Sequence, residues 1–263
     1  MNSTIKNNIN TKGIYFSSII LLIFIIYILS FAINNEIIFP SIITIFSDLI
    51  SKLFTAKTYL YIGNTLLNLL LSLSLSFIIG TILGILGGLF KYVRLFLKPW
   101  MTILRSIPIA SSLVIIMIVC GLSITPFVIA CITIIPIIYE GFCNGITSID
   151  KDMLDVWKLN SNLNIKVIFK VYIPLILSFI KTSFVLALGL GIKVIIMAEY
   201  LSGDKNTLGS ALMPASNMLD YASVYSYTII MILLVLILES LPKIIFKIYN
   251  YYKFDAKKKA ERD

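Results

Sequence analysis

Histidine is absent from this chain of 263 residues, and aspartate, glutamate, lysine and arginine together make up only 13% of it. The commonest general base and metal ligand is therefore missing, which excludes histidine-dependent hydrolases and histidine-ligated metal sites. The three cysteines, Cys120, Cys131 and Cys143, form no CxxC pair, so we expect neither a disulfide framework nor a zinc site. No GxxxxGK phosphate loop occurs, and we expect no catalytic site and no ATPase in this chain.

Hydrophobic residues, in contrast, make up 59% of the chain, and its mean hydropathy is +0.97. Six apolar runs, each close to the roughly twenty residues that cross a bilayer, occupy residues 14–33, 62–90, 100–120, 126–142, 175–201 and 224–246. Long uninterrupted runs favour helices over a β-barrel, because a helix satisfies its own backbone hydrogen bonds in lipid. The sequence therefore predicts an all-α polytopic membrane protein with about six transmembrane helices.

The runs divide the chain into segments. Residues 1–13 form a polar tail, and residues 14–33 are predicted to be an uncleaved first transmembrane helix. Residues 34–61 form an external segment, in which apolar residues between Ile42 and Leu53 recur at helical spacing and predict a short interfacial helix. Residues 62–246 form the membrane core, and residues 247–263 form a basic tail.

The positive charge, +9 in total, is distributed unevenly along the chain. Sixteen of the 22 lysines and arginines fall in the tails and loops on one side of the predicted spans, and three fall on the other side. Cytoplasmic loops collect lysine and arginine, so we expect both termini in the cytoplasm. The same distribution explains the basic composition without nucleic-acid binding.

The segment between the fourth and fifth runs, residues 144–174, is long for a loop and amphipathic in composition. Apolar residues between Met153 and Leu159 alternate with charged ones, and the turn-prone sequence Asn160-Ser161-Asn162 follows. A second amphipathic stretch then leads to Pro174, which is acceptable in the first turn of the next helix. Such a helix-turn-helix either offers an apolar ridge to a partner groove or lies flat on the membrane surface.

This loop resembles the EAA loop of the permease subunits of binding-protein-dependent ABC importers. That pattern is Glu-Ala-Ala, three residues, Gly, nine residues, Ile, any residue, Leu-Pro. The matching positions here are Asp155, Val156, Trp157, Ser161, Val171, Ile173 and Pro174. The spacing is met throughout, although only the proline is identical.

Three flanking stretches resemble the nitrate, sulfonate and taurine branch of this MetI-like family. The first runs from Arg105 through Pro108 to Ala110 and is followed by Gly121. The second comprises residues 135–138 and then 145–146, and the third comprises residues 197–201 and then Leu208-Gly209. The four stretches occur in the same order as in the family.

The resemblance implies a permease in a bacterial plasma membrane that forms a homodimer with a second copy of itself. It also implies cytoplasmic ATPase subunits, which hold ATP and magnesium, and an extracytoplasmic substrate-binding protein. The substrate would be a small polar or anionic solute, such as nitrate, a sulfonate, taurine or a vitamin-precursor pyrimidine. The alternatives are a single-chain secondary transporter and a membrane-embedded enzyme or assembly factor, which would need a cluster of acids or nucleophiles inside the spans.

Ionisable side chains inside the spans are costly and are therefore candidates for function. Arg105, Lys193 and Glu199 are the candidate pore-lining residues. Arg105 either attracts an anion or reaches the headgroups, and Lys193 either lines a pore or pairs with an acid. Glu239 stands four residues before Lys243, the spacing of a helical ion pair.

Overall fold

The computed structural model describes residues 40–150 and 164–260, together with residues 13, 16–18, 20–21, 24–25 and 28. No side chain is described for residue 243 or beyond residue 246. Four residues of the predicted coupling loop, Asp155, Val156, Trp157 and Ser161, lie outside the described residues, as does much of the predicted first span. Every regular element in the described part is helical, which confirms the all-α class.

The helices follow one another with short connections. They are α1 Ile42–Leu53, α2 Ala56–Leu89, α3 Lys91–Ser106, α4 Ile109–Cys120, α5 Thr125–Thr147, α6 Ile165–Val167, a π-helical turn Ile168–Tyr172, α7 Ile173–Leu175, α8 Leu177–Ser202, α9 Leu208–Asn217 and α10 Tyr221–Ala260. Four helices in the described part, α2, α5, α8 and the Tyr221–Phe246 portion of α10, are long and apolar enough to cross a membrane, and a bent pair raises the number to as many as five.

The centre of the bundle is the contact of α2 and α8 with α5. Leu69 of α2, Ile134 and Ile138 of α5 and Ile192 of α8 are buried almost completely in one apolar cluster. Close contact between α2 and α5 depends on glycine: a Cβ at Gly84 would lie 2.7 Å from the Cβ of Phe142. Gly80 and Gly88, four residues before and after Gly84, likewise lie against Ile138 and Ile146 of α5, so these glycines serve packing within the chain.

The sequence predicts one continuous helix over the third apolar run, residues 100–120. The structure instead divides this run between two helices. Helices α3 and α4 meet at an angle of 96°. Pro108 disfavours helical geometry at the residue before it, and Ile107 is extended, with φ −66° and ψ 125°. Helix α4 alone has 12 residues, or roughly 18 Å at 1.5 Å per residue, which is shorter than the hydrocarbon core.

The helix expected within residues 34–61 is present as α1. The Ser41 side chain accepts a hydrogen bond from the Thr44 backbone N–H and caps its first turn. Leu49 is buried against α10, where the Ser226 hydroxyl donates to the Ile45 carbonyl at 3.1 Å. Helix α1 therefore packs against the N-terminal part of α10.

Candidate functional site

A cavity of about 780 Å³ lies between α3, α4, α5 and α8. Its wall is mostly apolar, with polar side chains from Ser112, Thr133, Asn144, Ser178 and Thr182. Thr133 and Thr182 donate their hydroxyl protons to carbonyls one turn earlier, at 2.8 and 2.9 Å. Each hydroxyl oxygen is left with lone pairs for a solute, so this part of the wall mainly accepts hydrogen bonds.

Arg105, a predicted pore residue, lies in the wall of this cavity. Its guanidinium group forms an ion pair with the carboxylate of Glu140, which also lines the cavity. The pair joins the last turn of α3 to α5 across the helix break. The two opposite charges cancel, so the pair as a whole adds no net charge to the cavity wall.

Lys193, a second predicted pore residue, lies elsewhere. It faces a separate groove of about 360 Å³ between α8 and α10. Its Nζ is 3.7 Å from Oε1 of Glu239 on α10, and its side chain is 65% exposed. The carboxylate fits there because residue 189 is a glycine, whose missing Cβ leaves room for Glu239. The described partner of Glu239 is thus Lys193, while the side chain of Lys243 is not described.

Glu199, the third predicted pore residue, is fully buried and lines neither cavity. Its carboxylate accepts hydrogen bonds from the Thr65 hydroxyl at 2.8 Å, the Asn68 amide at 3.0 Å and the Gly209 backbone N–H at 3.3 Å. Thr65 in turn accepts from the Leu208 backbone N–H at 3.0 Å. Glu199 therefore joins α2, α8 and the start of α9.

The turn that leads into α9 packs closely against the hydrogen-bond network of Glu199. Gly209 approaches Glu199 so closely that a Cβ on residue 209 would lie 2.6 Å from the Cβ of Glu199. In the preceding loop, burial raises the pKa of the Asp204 carboxyl, and hydrogen bonds from the Lys205 backbone N–H and the Asn68 side chain oppose that rise. The amide of Asn68 thus faces two carboxyl groups at one end of the bundle.

The described end of the predicted coupling loop begins at Asn164. Its side chain accepts a hydrogen bond from the Val167 backbone N–H at 2.9 Å and caps the first turn. Val171 is buried in the central cluster, whereas Ile173 and Pro174 form the short helix that leads to α8. From Ile165 to Ser202 the chain is helical except at Ile176, where φ is −95° and ψ is 10°, and the segment includes the π-helical turn Ile168–Tyr172.

A family model for the binding-protein-dependent transport system inner membrane component matches residues 76–249, about two thirds of the chain. The chain belongs to this family. It is therefore a permease subunit of an ABC transporter and a multi-pass membrane protein rather than an enzyme. No curated protein sequence matches it.

Two of the short stretches that resemble the family have a structural explanation in the permease. They are the stretch that contains Glu199 and Gly209 and the stretch that contains Pro108 and Gly121. Glu199 and Gly209, ten residues apart in the sequence, meet in one hydrogen bond. Pro108 and Gly121 mark the two ends of α4, and the backbone of Gly121 has φ 84°, a conformation that favours glycine. Both stretches therefore mark positions where the backbone changes direction.

Sequence reasoning about the permease missed Thr65 and Asn68. The available signal was an amide inside an apolar run, since a polar side chain in lipid needs a partner. Helical periodicity does not identify which acid, on which other helix, is the partner of that amide. Among the described residues, no group of three or more cysteines, aspartates and glutamates is arranged to hold a metal ion.

Proposed function

We propose that this permease forms, as a homodimer, the translocation path of an ATP-driven importer in a bacterial plasma membrane, with both termini in the cytoplasm. ATP and magnesium would reside on separate cytoplasmic ATPase subunits, and an extracytoplasmic binding protein would deliver the solute. Residues 144–174 would transmit the motion of the ATPase to the cavity. The observation that carries the proposal is an exposed apolar ridge on a helix that is anchored in the core.

The ridge consists of Ile165 and Phe169, which are one turn apart and 73% and 64% exposed. Two and three residues after Phe169, Val171 and Tyr172 are buried in the central cluster, which also contains Ile146 of α5. A protein that holds the ridge would therefore act directly on packed core residues. An exposed apolar pair at helical spacing suits helix-in-groove binding, and Lys166 and Lys170 flank it with positive charge.

Replacing Phe169 with alanine tests this contact. We expect ATPase binding to the purified permease to weaken by roughly 30-fold, because truncation of an aromatic anchor costs about 2 kcal/mol. Phe46→Ala is the matched control, since Phe46 is 60% exposed on α1, far along the chain from the predicted loop. Equal retention of the ATPase by both variants would contradict the proposed coupling contact.

For the substrate, we propose a small polar solute without net charge. Among the residues that the structure describes, the only ion pair in the wall of the large cavity is that of Arg105 with Glu140, and it has no net charge. The hydroxyls of Thr133 and Thr182 offer lone pairs. Of the solutes that the resemblance suggests, a vitamin-precursor pyrimidine with N–H donors suits this wall better than nitrate or a sulfonate. An anion would have to compete with Glu140 for Arg105.

Glu140→Gln tests the choice of substrate. The change leaves Arg105 without its carboxylate, and we expect the ratio of anion to neutral-solute uptake to rise by at least about tenfold, which corresponds to roughly 1.4 kcal/mol. Uptake is measured in proteoliposomes that contain the permease with its ATPase. Glu239→Gln makes the same charge change in the groove between α8 and α10 and should leave the ratio unchanged. A rise in both variants would refute the role of Arg105.

The ion pair of Lys193 and Glu239 favours the second candidate, a secondary transporter, because paired charges inside spans can carry ions. The two candidates differ in their energy source. Uptake by the single chain, driven by an ion gradient and unaffected by ATPase removal, would support the second candidate and reject the first.

A further inference from the structure

Helix α3 has three distinct sides, of which one faces the bundle. Leu97, Met101 and Leu104 recur at helical spacing and pack in a cluster with Tyr139 and Cys143 of α5. The helix also turns by 96° before α4. A helix that crosses its neighbour at nearly a right angle and ends next to a membrane-embedded segment is well placed to lie along the membrane surface.

The second side of α3 is apolar and exposed. Tyr92, Phe96, Trp100 and Ile103 follow one another at spacings of four, four and three residues and are between 52% and 86% exposed. At 3.6 residues per turn, they form one stripe along the helix. Tyrosine and tryptophan are the aromatic residues that collect where hydrocarbon meets headgroups. This stripe is therefore suited to the edge of the acyl region.

The third side of α3 is basic. Lys91, Arg94 and Lys98, at spacings of three and four residues, lie roughly opposite the apolar stripe on the helix. No described carboxylate forms an ion pair with these three side chains. A helix with an apolar side, an opposite basic side and one flank held by the bundle has the features of an interfacial helix next to anionic lipid.

We propose that α3 is a binding surface for anionic phospholipids. The stripe from Tyr92 to Ile103 enters the acyl region, and Lys91, Arg94 and Lys98 contact the headgroups. The proposal goes beyond the solute path but bears on it, because Arg105, in the last turn of α3, lies in the wall of the large cavity. Lipid bound along α3 would hold that arginine in place.

Tryptophan fluorescence can report on this surface alone. The chain has two tryptophans, Trp100 and Trp157, so the full-length Trp157→Phe variant retains Trp100 as its sole tryptophan. This variant is reconstituted in phosphatidylcholine vesicles that contain, at one mole fraction, either brominated phosphatidylcholine or brominated phosphatidylglycerol. Bromine quenches only nearby tryptophan. We expect quenching by both lipids and an excess with phosphatidylglycerol, with a preference of about fivefold for each basic side chain in contact.

The combined change Lys91→Gln, Arg94→Gln and Lys98→Gln should abolish the excess and leave quenching by phosphatidylcholine. The control, Lys253→Gln with Lys257→Gln and Lys258→Gln, removes three charges from the basic tail and should keep the excess. Added salt should reduce the excess in the protein with intact α3, which tests the proposal even if the triple variant does not fold. Absence of quenching would mean that a second copy covers the surface and would overturn the proposal, as would equal quenching by the two lipids.

Discussion

Replacement of Glu199 tests whether its network joins the helices through hydrogen bonds. Glu199→Ala removes the fully buried acceptor of three donors, on Thr65, Asn68 and Gly209, of which only Asn68 keeps a second acceptor, Asp204. Each unsatisfied buried donor costs about 1–3 kcal/mol, and partial relaxation limits the sum, so we expect a loss of about 3–5 kcal/mol. Glu199→Gln retains one oxygen for Thr65 and Gly209.

The glutamine amide would face the Asn68 amide, donor against donor, unless Asn68 flips to present its oxygen. With that flip, we expect Glu199→Gln to cost only about 1–2 kcal/mol. The ranking of the two variants therefore separates a hydrogen-bonding role from one that requires negative charge.

The assay combines global and local measurements. Denaturant titration of the purified permease gives the free energy of unfolding. Trypsin cleavage after Lys205, in the loop between α8 and α9, reports local opening next to the network. A local loss of about 3 kcal/mol should raise the cleavage rate roughly 100-fold if opening and closing are fast. Glu140→Ala is the control, because its partly exposed ion pair is worth no more than about 1 kcal/mol. An unchanged Glu199→Ala variant, or equal losses for alanine and glutamine, would refute the reasoning.

Two further predictions concern helix contact and helix capping. Gly84→Ala should destabilise the permease by about 1–3 kcal/mol in denaturant titration, because its Cβ would overlap Phe142, whereas Gly63→Ala, with no atom within 4 Å, should cost nothing. Asp220 accepts from the Ser223 backbone N–H at 3.1 Å at the start of α10, so Asp220→Ala should cost about 1 kcal/mol and Asp220→Asn much less. Hydrogen bonds from Ser223 lower the pKa of Asp220, and its stabilisation is therefore present above the ordinary value of 3.8 and lost as pH falls through the lower folded value. Asp220→Asn should lack that acid-side loss, and an unchanged pH profile in this variant would contradict the assignment.

The sequence allowed the helical class and most of the spans to be predicted, because a run of about twenty apolar residues has few alternatives. The break at Pro108 was missed for a related reason. Hydropathy averages over a window, and apolar residues on both sides of Ile107 hide a change of direction that depends on local sterics. The amphipathic α3 was consequently merged with the apolar α4.

The partners of the buried ionisable groups could not be predicted from helical spacing. Glu239 is close to Lys193, which is 46 positions earlier in the chain, and Glu199 is held by Thr65 and Asn68, more than 130 positions earlier. Such contacts depend on how whole helices pack side by side. Local periodicity fixes which face a residue occupies but not which helix lies against that face.

The helical segment from Ile165 to Ser202 has a mechanical consequence. Its regular portion, α8, has 26 residues and is about 39 Å long at 1.5 Å per residue; Glu199 lies near its end, and the exposed Phe169 lies in the π-helical turn before it. A helix can transmit a displacement along its axis, so a push applied near Phe169 would act on the part of α8 that carries Glu199. Two irregularities interrupt the segment, the π-helical turn Ile168–Tyr172 and Ile176, and a tilt at either would move the part that carries Glu199 relative to the part that precedes it.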